Sequence, residues 1–324
     1  MTMDLSILIV TYNSAPLIGR LLTHLRDELR TLRAEVIVVD NASRDATADL
    51  VERDHGWASL HRSPTNLGFA AANNLAARHA RGRYLLLLNP DAMPHPGSLA
   101  QALQRLAMHA DVGLAGGELR GEDGSRQPSA RMFPTLRDEF FTLSGLAARF
   151  PGSRHLARLD RRWADPDADA QVDWIPGAFV FIPAQVFAAL AGFDERFFMY
   201  YEEVDLCRRI RAMGLKAHYW PGLKATHIGG ASARTVGSER ISRAGSQLES
   251  WRMRSGLLYY RKHHGAAGAC GLHCIEWGWH KLRQLKAVLV RQHDKAREFS
   301  LHCRQLRQAW RETDAGRSSP SRPW

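Results

Sequence analysis

The chain has 324 residues, 45% of them hydrophobic and 24% charged, enough for one large α/β domain with an appendage, or two domains, whose core needs no metal or disulfide staple. Residues 1–230 hold 26 Lys+Arg against 26 Asp+Glu, whereas residues 231–324 hold 18 against 7, so the whole net charge of +11 lies beyond residue 230 and points there to an anionic partner such as a phospholipid surface or a polyanionic substrate. Nucleic acid is not indicated, since no zinc-finger spacing, RNP-type aromatic motif or heptad array is present, and four cysteines without a CxxC pair suggest a reduced, cytoplasmic setting.

The N-terminus has no basic region and only a short apolar run, so it does not read as a signal peptide. LSILIV (5–10) reads as a buried strand. Ser14 is placed to cap a helix starting near Pro16, with Leu17, Leu21, Leu22, Leu25 and Leu29 at helical spacing. EVIVVD (35–40) is a second strand, giving a parallel βαβ unit. Ser43 starts a helix over 44–54, residues 58–62 form a weak strand, Asn66 to Gly68 turn, and 69–80 is an alanine-rich helix. Tyr84 to Leu88 is a fully apolar strand ending in Asn89-Pro90-Asp91, and Ser98 begins a helix over 99–109. Residues 117–172, with GEDGSRQP and DPDADA, read as a loop-rich insertion. Residues 174–193 are near membrane-span length, but Pro176, Gly177, Pro183 and Gln185 interrupt them, so strand, turn and buried helix fit better. A helix from about Glu203, a short strand KAHYWP, a Gly-rich turn HIGGAS (227–232) and a basic helical region from about 240 follow, with a low-apolarity tail (313–324) expected to be disordered.

Thr11–Asn13, Asp40 and Asp91 all follow the carboxyl ends of apolar strands, the edge where open α/β sheets bind ligands. The first turn, TYNSAP, lacks the glycines of a dinucleotide fingerprint. Asp40 suits either a ribose or base contact or the cap of the next helix. Asp91 suits a Mg²⁺ or Mn²⁺ site completed by substrate phosphates, or an ordinary Pro-Asp turn. His227 is a candidate second ligand. YYEEVDLCRR (200–209) puts Glu202, Glu203 and Asp205 in the first turn of a helix, where acids complement the macrodipole and Asp205 can pair with Arg208 or Arg209; one of them is equally a candidate general base. Cys270, His273, Cys274 and His280 are read as buried helix positions rather than a metal site, and His263-His264 beside Arg261-Lys262 as a solvated basic patch.

VTYN, VVDNAS, NLGFAAANN, LLLLNPDA, WIPGAF, GFDERFFMYYEEVDLCRR and HIGGAS, in this order over residues 5–232, resemble inverting family 2 glycosyltransferases of the GT-A fold, in the rhamnosyltransferase-like branch. The resemblance implies a Rossmann-like, mostly parallel sheet with helices on both faces over 1–235 and a helical extension over 236–312. It puts Thr11, Tyr12, Asn13, Asp40, Asn66, Gly68, Asn73, Asn89 and Asp91 around the nucleotide sugar, and Asp91 and His227 on the metal. Asn89 replaces the first acid of the DxD-type motif. Trp174 and Gly177 would line the acceptor side. Glu203 occupies the place of the family's usual aspartate base, with Glu202 and Asp205 beside it. A nucleotide-sugar donor, with dTDP-L-rhamnose favoured over a UDP-hexose or UDP-N-acetylhexosamine, and a glycan or lipid-linked glycan acceptor are implied. A nucleotidyltransferase would want a glycine- and lysine-rich loop near the N-terminus, and a binding module would not need both Asp91 and Glu203. Residues 250–312 mix Trp, Tyr and Leu with Arg and Lys, fitting peripheral contact with the inner face of the cytoplasmic membrane, packing on the catalytic domain, or a homodimer contact.

Overall fold

The computed structural model describes residues 3–228 and 247–320. The chain opens with β1 (Met3–Thr11), α1 (Ala15–Glu28) and β2 (Ala34–Asp40), paired in parallel with Thr11 opposite Asp40. Next come α2 (Thr47–Asp54), β3 (Ser59–Arg62), α3 (Gly68–Arg78), β4 (Gly82–Leu88), β5 (Ala92–Pro94) and α4 (Ser98–Met108). The remaining body comprises β6 (Val112–Arg120), β7 (Arg126–Gln127), α5 (Leu136–Ser144), α6 (Leu146–Arg149), β8 (Ala170–Val172), β9 (Phe179–Pro183), α7 (Ala184–Ala189), α8 (Glu202–Ala212) and β10 (Lys216–His227). Two helices close the chain: α9 (Gln247–Leu289), broken at Gly265 whose φ is 68°, and α10 (His293–Glu312).

One ten-stranded sheet runs β3-β2-β1-β4-β9-β6-β10-β5, with β7 on β6 and β8 on β10. It is mixed rather than mostly parallel, because β9 enters antiparallel between β4 and β6 and the short β5, β7 and β8 also run antiparallel to their partners. Strand alternation divides the core. Ile7, Ile9, Val36 and Val38 face α1 and α4, while Leu8, Ile37 and Val39 share the opposite core with α3, α8 and α9.

Several local expectations are corrected. Ser14 does not cap α1 through its hydroxyl, which instead donates to the Tyr12 carbonyl at 3.2 Å. The next helix starts at Thr47 rather than 44, since Ser43 is drawn into the turn, its hydroxyl accepting from the Asn13 N–H at 2.9 Å. Residues 112–120 form a central buried strand instead of running into a loop. Gly117 is needed there: a Cβ would lie 2.0 Å from the Leu223 carbonyl oxygen, where β10 shifts register around Pro221. Within the same expected loop, Thr135 and Asp138 form a reciprocal capping box that starts α5. KAHYWP is only the first half of a strand of twelve residues.

The C-terminal helices cover the face carrying α8, with Met253, Leu257, Leu258, Tyr259, Tyr260 and Leu272 buried in the shared core. The tail read as disordered is described as far as residue 320, with Thr313 buried and the Ser319 hydroxyl donating to the Arg196 carbonyl at 2.9 Å. Residues 229–232 of HIGGAS lie outside the described residues.

Candidate active site

The carboxyl ends of β1, β2 and β4 bring the N-terminal candidates to one sheet edge. The Thr11 hydroxyl donates to Asp40 Oδ1 at 3.2 Å, and Asp40 Oδ2 accepts the Ser43 N–H at 3.1 Å. Asp40, 4% exposed, therefore organises the turn after β2 and does not cap the next helix, which starts at Thr47 behind an Ala46 N-cap. Asn13, at φ 50°, accepts the Arg44 N–H on its side-chain oxygen at 2.8 Å. Asn41, which sequence reasoning missed, donates to Asn66 Oδ1 at 2.8 Å and accepts from the Leu67 N–H at 2.7 Å. It thus stitches the NLGF turn to β2. Asn73 is buried in α3 and donates to the Phe69 carbonyl at 2.9 Å. Gly68 has φ 81°, and a Cβ there would sit 2.3 Å from the Phe198 carbonyl oxygen, which accepts the Phe69 N–H at 2.7 Å. Only glycine lets this turn dock on the segment leading into the acidic motif.

Asp91 follows β4, and β5 then pairs with the end of β10, placing His227 opposite Ala92. His227 Nε2 comes within 3.4 Å of Asp91 Oδ1, so 136 positions of sequence separation close into one site. Gln127 fixes the ring from the other side: its Oε1 lies 2.7 Å from His227 Nδ1, and its Nε2 donates to the His227 carbonyl at 2.6 Å. A proton on Nδ1 leaves the Nε2 lone pair on the Asp91 side, the usual outer-shell orientation of a metal-ligating imidazole. One carboxylate and one imidazole fit a Mg²⁺ or Mn²⁺ that takes its remaining ligands from phosphate oxygens and water. No group of three or more His, Cys, Asp or Glu able to hold a metal occurs among the described residues, and that includes Cys270 and Cys274, which are exposed on α9 rather than buried.

The acidic motif starts α8 at Glu202, directly after Tyr200 and Tyr201, both left-handed at φ 69° and 66°. Two successive β-carbon-bearing residues in that region store strain that surrounding contacts must hold. Those contacts come largely from the C-terminal helix: Ser255 donates to the Met199 carbonyl at 2.7 Å, and Trp251 stacks on Phe198 with centroids 4.3 Å apart. The Tyr201 and Tyr260 hydroxyls both donate to Glu139 Oε1, at 3.1 and 3.2 Å. Burial, with the Glu276 charge, pushes the Glu139 carboxyl up against the opposing Arg252. This clamp had no signature in the sequence.

The three acids differ sharply. Glu202 is 4% exposed, and burial together with the neighbouring Glu203 charge raises its carboxyl well above the usual range. Glu203 is also raised by burial, but its own N–H, the Arg131 guanidinium and the Gly177 N–H favour its anion. Oε2 of each has no hydrogen-bond partner among the described residues. Two adjacent enclosed carboxyls do not both ionise readily, and the partners around Glu203 make it the easier of the two to ionise. Arg131, another residue missed in the sequence, is held by Asp160 and lies over the Trp174 ring at 4.7 Å. Trp174 is itself buried, its indole N–H donating to the Met132 carbonyl at 2.9 Å. Gly177 faces Phe69 of the NLGF turn, with its Cβ position 3.1 Å from the ring.

Asp205 is buried and surrounded by cations. Arg209 pairs with Oδ2 at 2.8 Å; Lys262 and His263 Nε2 approach Oδ1 at 2.6 and 2.7 Å. Lys262 is therefore an ion-pair partner of Asp205 and His263 a hydrogen-bond partner, rather than members of a solvated patch, and Asp205 locks α9 onto α8. Burial alone would raise the Asp205 carboxyl; the bonds from His263 and Lys262 and the Arg209 charge outweigh it and hold the group below its ordinary value. Asp205→Ala is expected to destabilise the fold by about 2–4 kcal/mol, because it leaves the partly buried Arg209 without its carboxylate, although Lys262 keeps Asp194. A depressed carboxyl stabilises above its unfolded pKa of about 3.9 and loses that contribution as pH falls through the folded value. In urea melts, the wild-type advantage over this variant should shrink steadily below about pH 4.

The profile described as "Glycosyl transferase family 2" matches residues 6–158. The N-acetylglucosaminyl-diphospho-decaprenol L-rhamnosyltransferase of Mycobacterium tuberculosis is 29% identical over 240 residues, covering 70% of this chain and 76% of the relative. Rhamnosyltransferase WbbL of Escherichia coli K12 is 28% identical over 170 residues, covering 49% of this chain and 60% of that protein. Among solved structures, the mannosyltransferase PcManGT of Pyrobaculum calidifontis, in complex with GDP-Man and Mn²⁺, superposes with a TM-score of 0.55 at 19% identity over 96% of this chain and 87% of that one. The motif order, the mixed sheet and these matches agree in supporting a family 2 glycosyltransferase, rhamnosyltransferase-like, with a GT-A fold.

Proposed function

We propose that the chain is an inverting transferase that moves L-rhamnose from dTDP-L-rhamnose to a hydroxyl of a glycan or lipid-linked glycan. The observation that carries this reading is Glu203: a half-buried residue whose enclosed Oε2 is unpartnered among the described residues and whose anion is favoured by Arg131 and the Gly177 N–H. In an inverting displacement the acceptor oxygen bonds to the anomeric carbon as the bond to the diphosphate breaks, and the acceptor proton passes to one base. Glu203 is that base. A glutamate is one methylene longer than the family's usual aspartate and reaches the acceptor from a slightly more distant backbone. Glu202, kept neutral, positions the helix start, and Asp205 holds α8 in place. Tyr12, Asn13 and Asp40 bound the nucleoside side, with the Asn66–Gly68 turn and Asn73 beneath the sugar and Asn89 beside Asp91. Trp174 and Gly177 back the acceptor side. Asp91 and His227 would hold Mg²⁺ or Mn²⁺, which when bound neutralises charge on the departing diphosphate.

The mycobacterial relative's name specifies rhamnosyl transfer to a diphospholipid-linked sugar, which supports the donor and acceptor classes. A UDP-hexose or UDP-N-acetylhexosamine donor is the competing choice. Thermal shift across dTDP-, UDP- and GDP-sugars with Mn²⁺ separates them: dTDP-L-rhamnose is expected to raise the melting temperature most, and a larger shift with a UDP-sugar would reassign the donor.

A further inference from the structure

The end of α9 presents an apolar face that nothing among the described residues covers. Leu282, Leu285 and Leu289 recur at i, i+3 and i+7, within one narrow arc of the helix, and are 63%, 60% and 83% exposed. Val288 and Val290 extend this face around the turn into α10 and are also more than half exposed. Cations flank it: residues 281–295 hold Lys281, Arg283, Lys286, Arg291 and Lys295 against the single acid Asp294. No carboxylate among the described residues lies within ion-pair distance of these five. Two cavities of about 490 and 340 Å³ open on either side, and both are walled by Arg283 and Lys286. The first also meets Trp279 and the Thr142–Gly145 end of α5, the second Val290, Lys295 and Phe299.

We infer that this helix tip docks on an anionic phospholipid surface, with the three leucines in the acyl boundary and headgroup phosphates in the two cation-walled cavities. Leucines ringed by lysine and arginine are the pattern of an interfacial helix, and each cation near an anionic leaflet adds attraction. No described helix is long and apolar enough to cross a membrane, so the contact lies in the plane of the interface. A two-fold contact between copies would set the same five cations against each other, which disfavours a second copy as the occupant. The inference deepens the lipid-linked acceptor in the reading above and rests on it for its purpose. It also narrows the contact, since the first half of α9 packs against the catalytic body.

The test is flotation of the full chain with phosphatidylglycerol/phosphatidylethanolamine vesicles and with phosphatidylcholine vesicles. The wild type should float with the anionic vesicles at low salt and not with the neutral ones. Leu285→Glu/Leu289→Glu and Lys286→Glu/Arg291→Glu should each lower binding by about tenfold or more. All four residues are outside the catalytic machinery, and the two leucines are exposed, so unchanged melting temperature and nucleotide-sugar affinity are expected. A wild type that ignores anionic vesicles, or variants that bind them equally, overturns the inference. So does a concentration-dependent dimer in sedimentation that Leu285→Glu/Leu289→Glu abolishes, since that gives the face to a second copy. A chain that floats as expected but binds no nucleotide sugar supports docking while sinking the transferase reading.

Discussion

Glu203→Gln is expected to lower kcat by about 10³-fold or more while leaving donor affinity near wild type. Glutamine keeps the shape and removes the only group assigned to take the acceptor proton. Glu202→Gln should lose less than about tenfold, because it copies the protonated form that burial and the neighbouring Glu203 charge favour in Glu202. The asymmetry follows from the partners of each acid: Glu203 has Arg131 and the Gly177 N–H, whereas Glu202 gains only its own N–H. The signs for pH follow. As the proposed base, Glu203 would have to be ionised, so kcat should fall as pH drops through a value above the ordinary carboxylate range, rather than near 4. Its ionisation in the folded state works against stability, since a carboxyl raised on folding loses its favourable contribution as pH rises. Glu203→Gln should therefore melt at or above the wild-type temperature at neutral pH, the usual opposition of activity and stability at a built site.

The second large effect concerns the diphosphate end. In calorimetry, Mn²⁺ should tighten donor binding to the wild type by about tenfold or more, and Asp91→Ala should bind equally weakly with and without the metal. His227→Ala should behave in the same way. Gln127→Ala, which frees the imidazole from its orienting bonds at 2.7 and 2.6 Å, should lose about 10–100-fold of the metal-dependent part. Equal Mn²⁺ dependence in wild type and Asp91→Ala would take Asp91 out of the metal site.

The first half of the fold was legible because its elements follow single rules. Apolar runs such as EVIVVD and YLLLL became buried strands, and Leu21, Leu22 and Leu25 became the buried stripe of α1. β6 was partly hidden because Gly113, Gly116 and Gly117 dilute the strand pattern, although they are what allow β10 and neighbouring side chains to approach. The Thr135–Asp138 capping box was readable and overlooked among the charges around it. The antiparallel entry of β9 carries no local signal at all. At the candidate site, the motifs picked out Asp91, His227 and Glu203 as candidates, but no local pattern shows that Gln127 orients the imidazole or that Arg131 favours the Glu203 anion. The left-handed Tyr200-Tyr201 pair was equally silent, because its geometry is imposed by contacts with Glu139, Ser255 and Trp251 far along the chain. The same long-range packing decided the role of Asp205, whose Arg209 pairing follows from spacing while Lys262 and His263 do not.

The base assignment is the centre of this account, and single-turnover transfer with pre-bound donor tests it most directly, because it separates chemistry from binding and release. Measured side by side, Glu203→Gln should show a transfer rate reduced about 10³-fold or more and Glu202→Gln a rate within about tenfold of wild type. Wild-type transfer by Glu203→Gln, or the larger loss in Glu202→Gln, would contradict it.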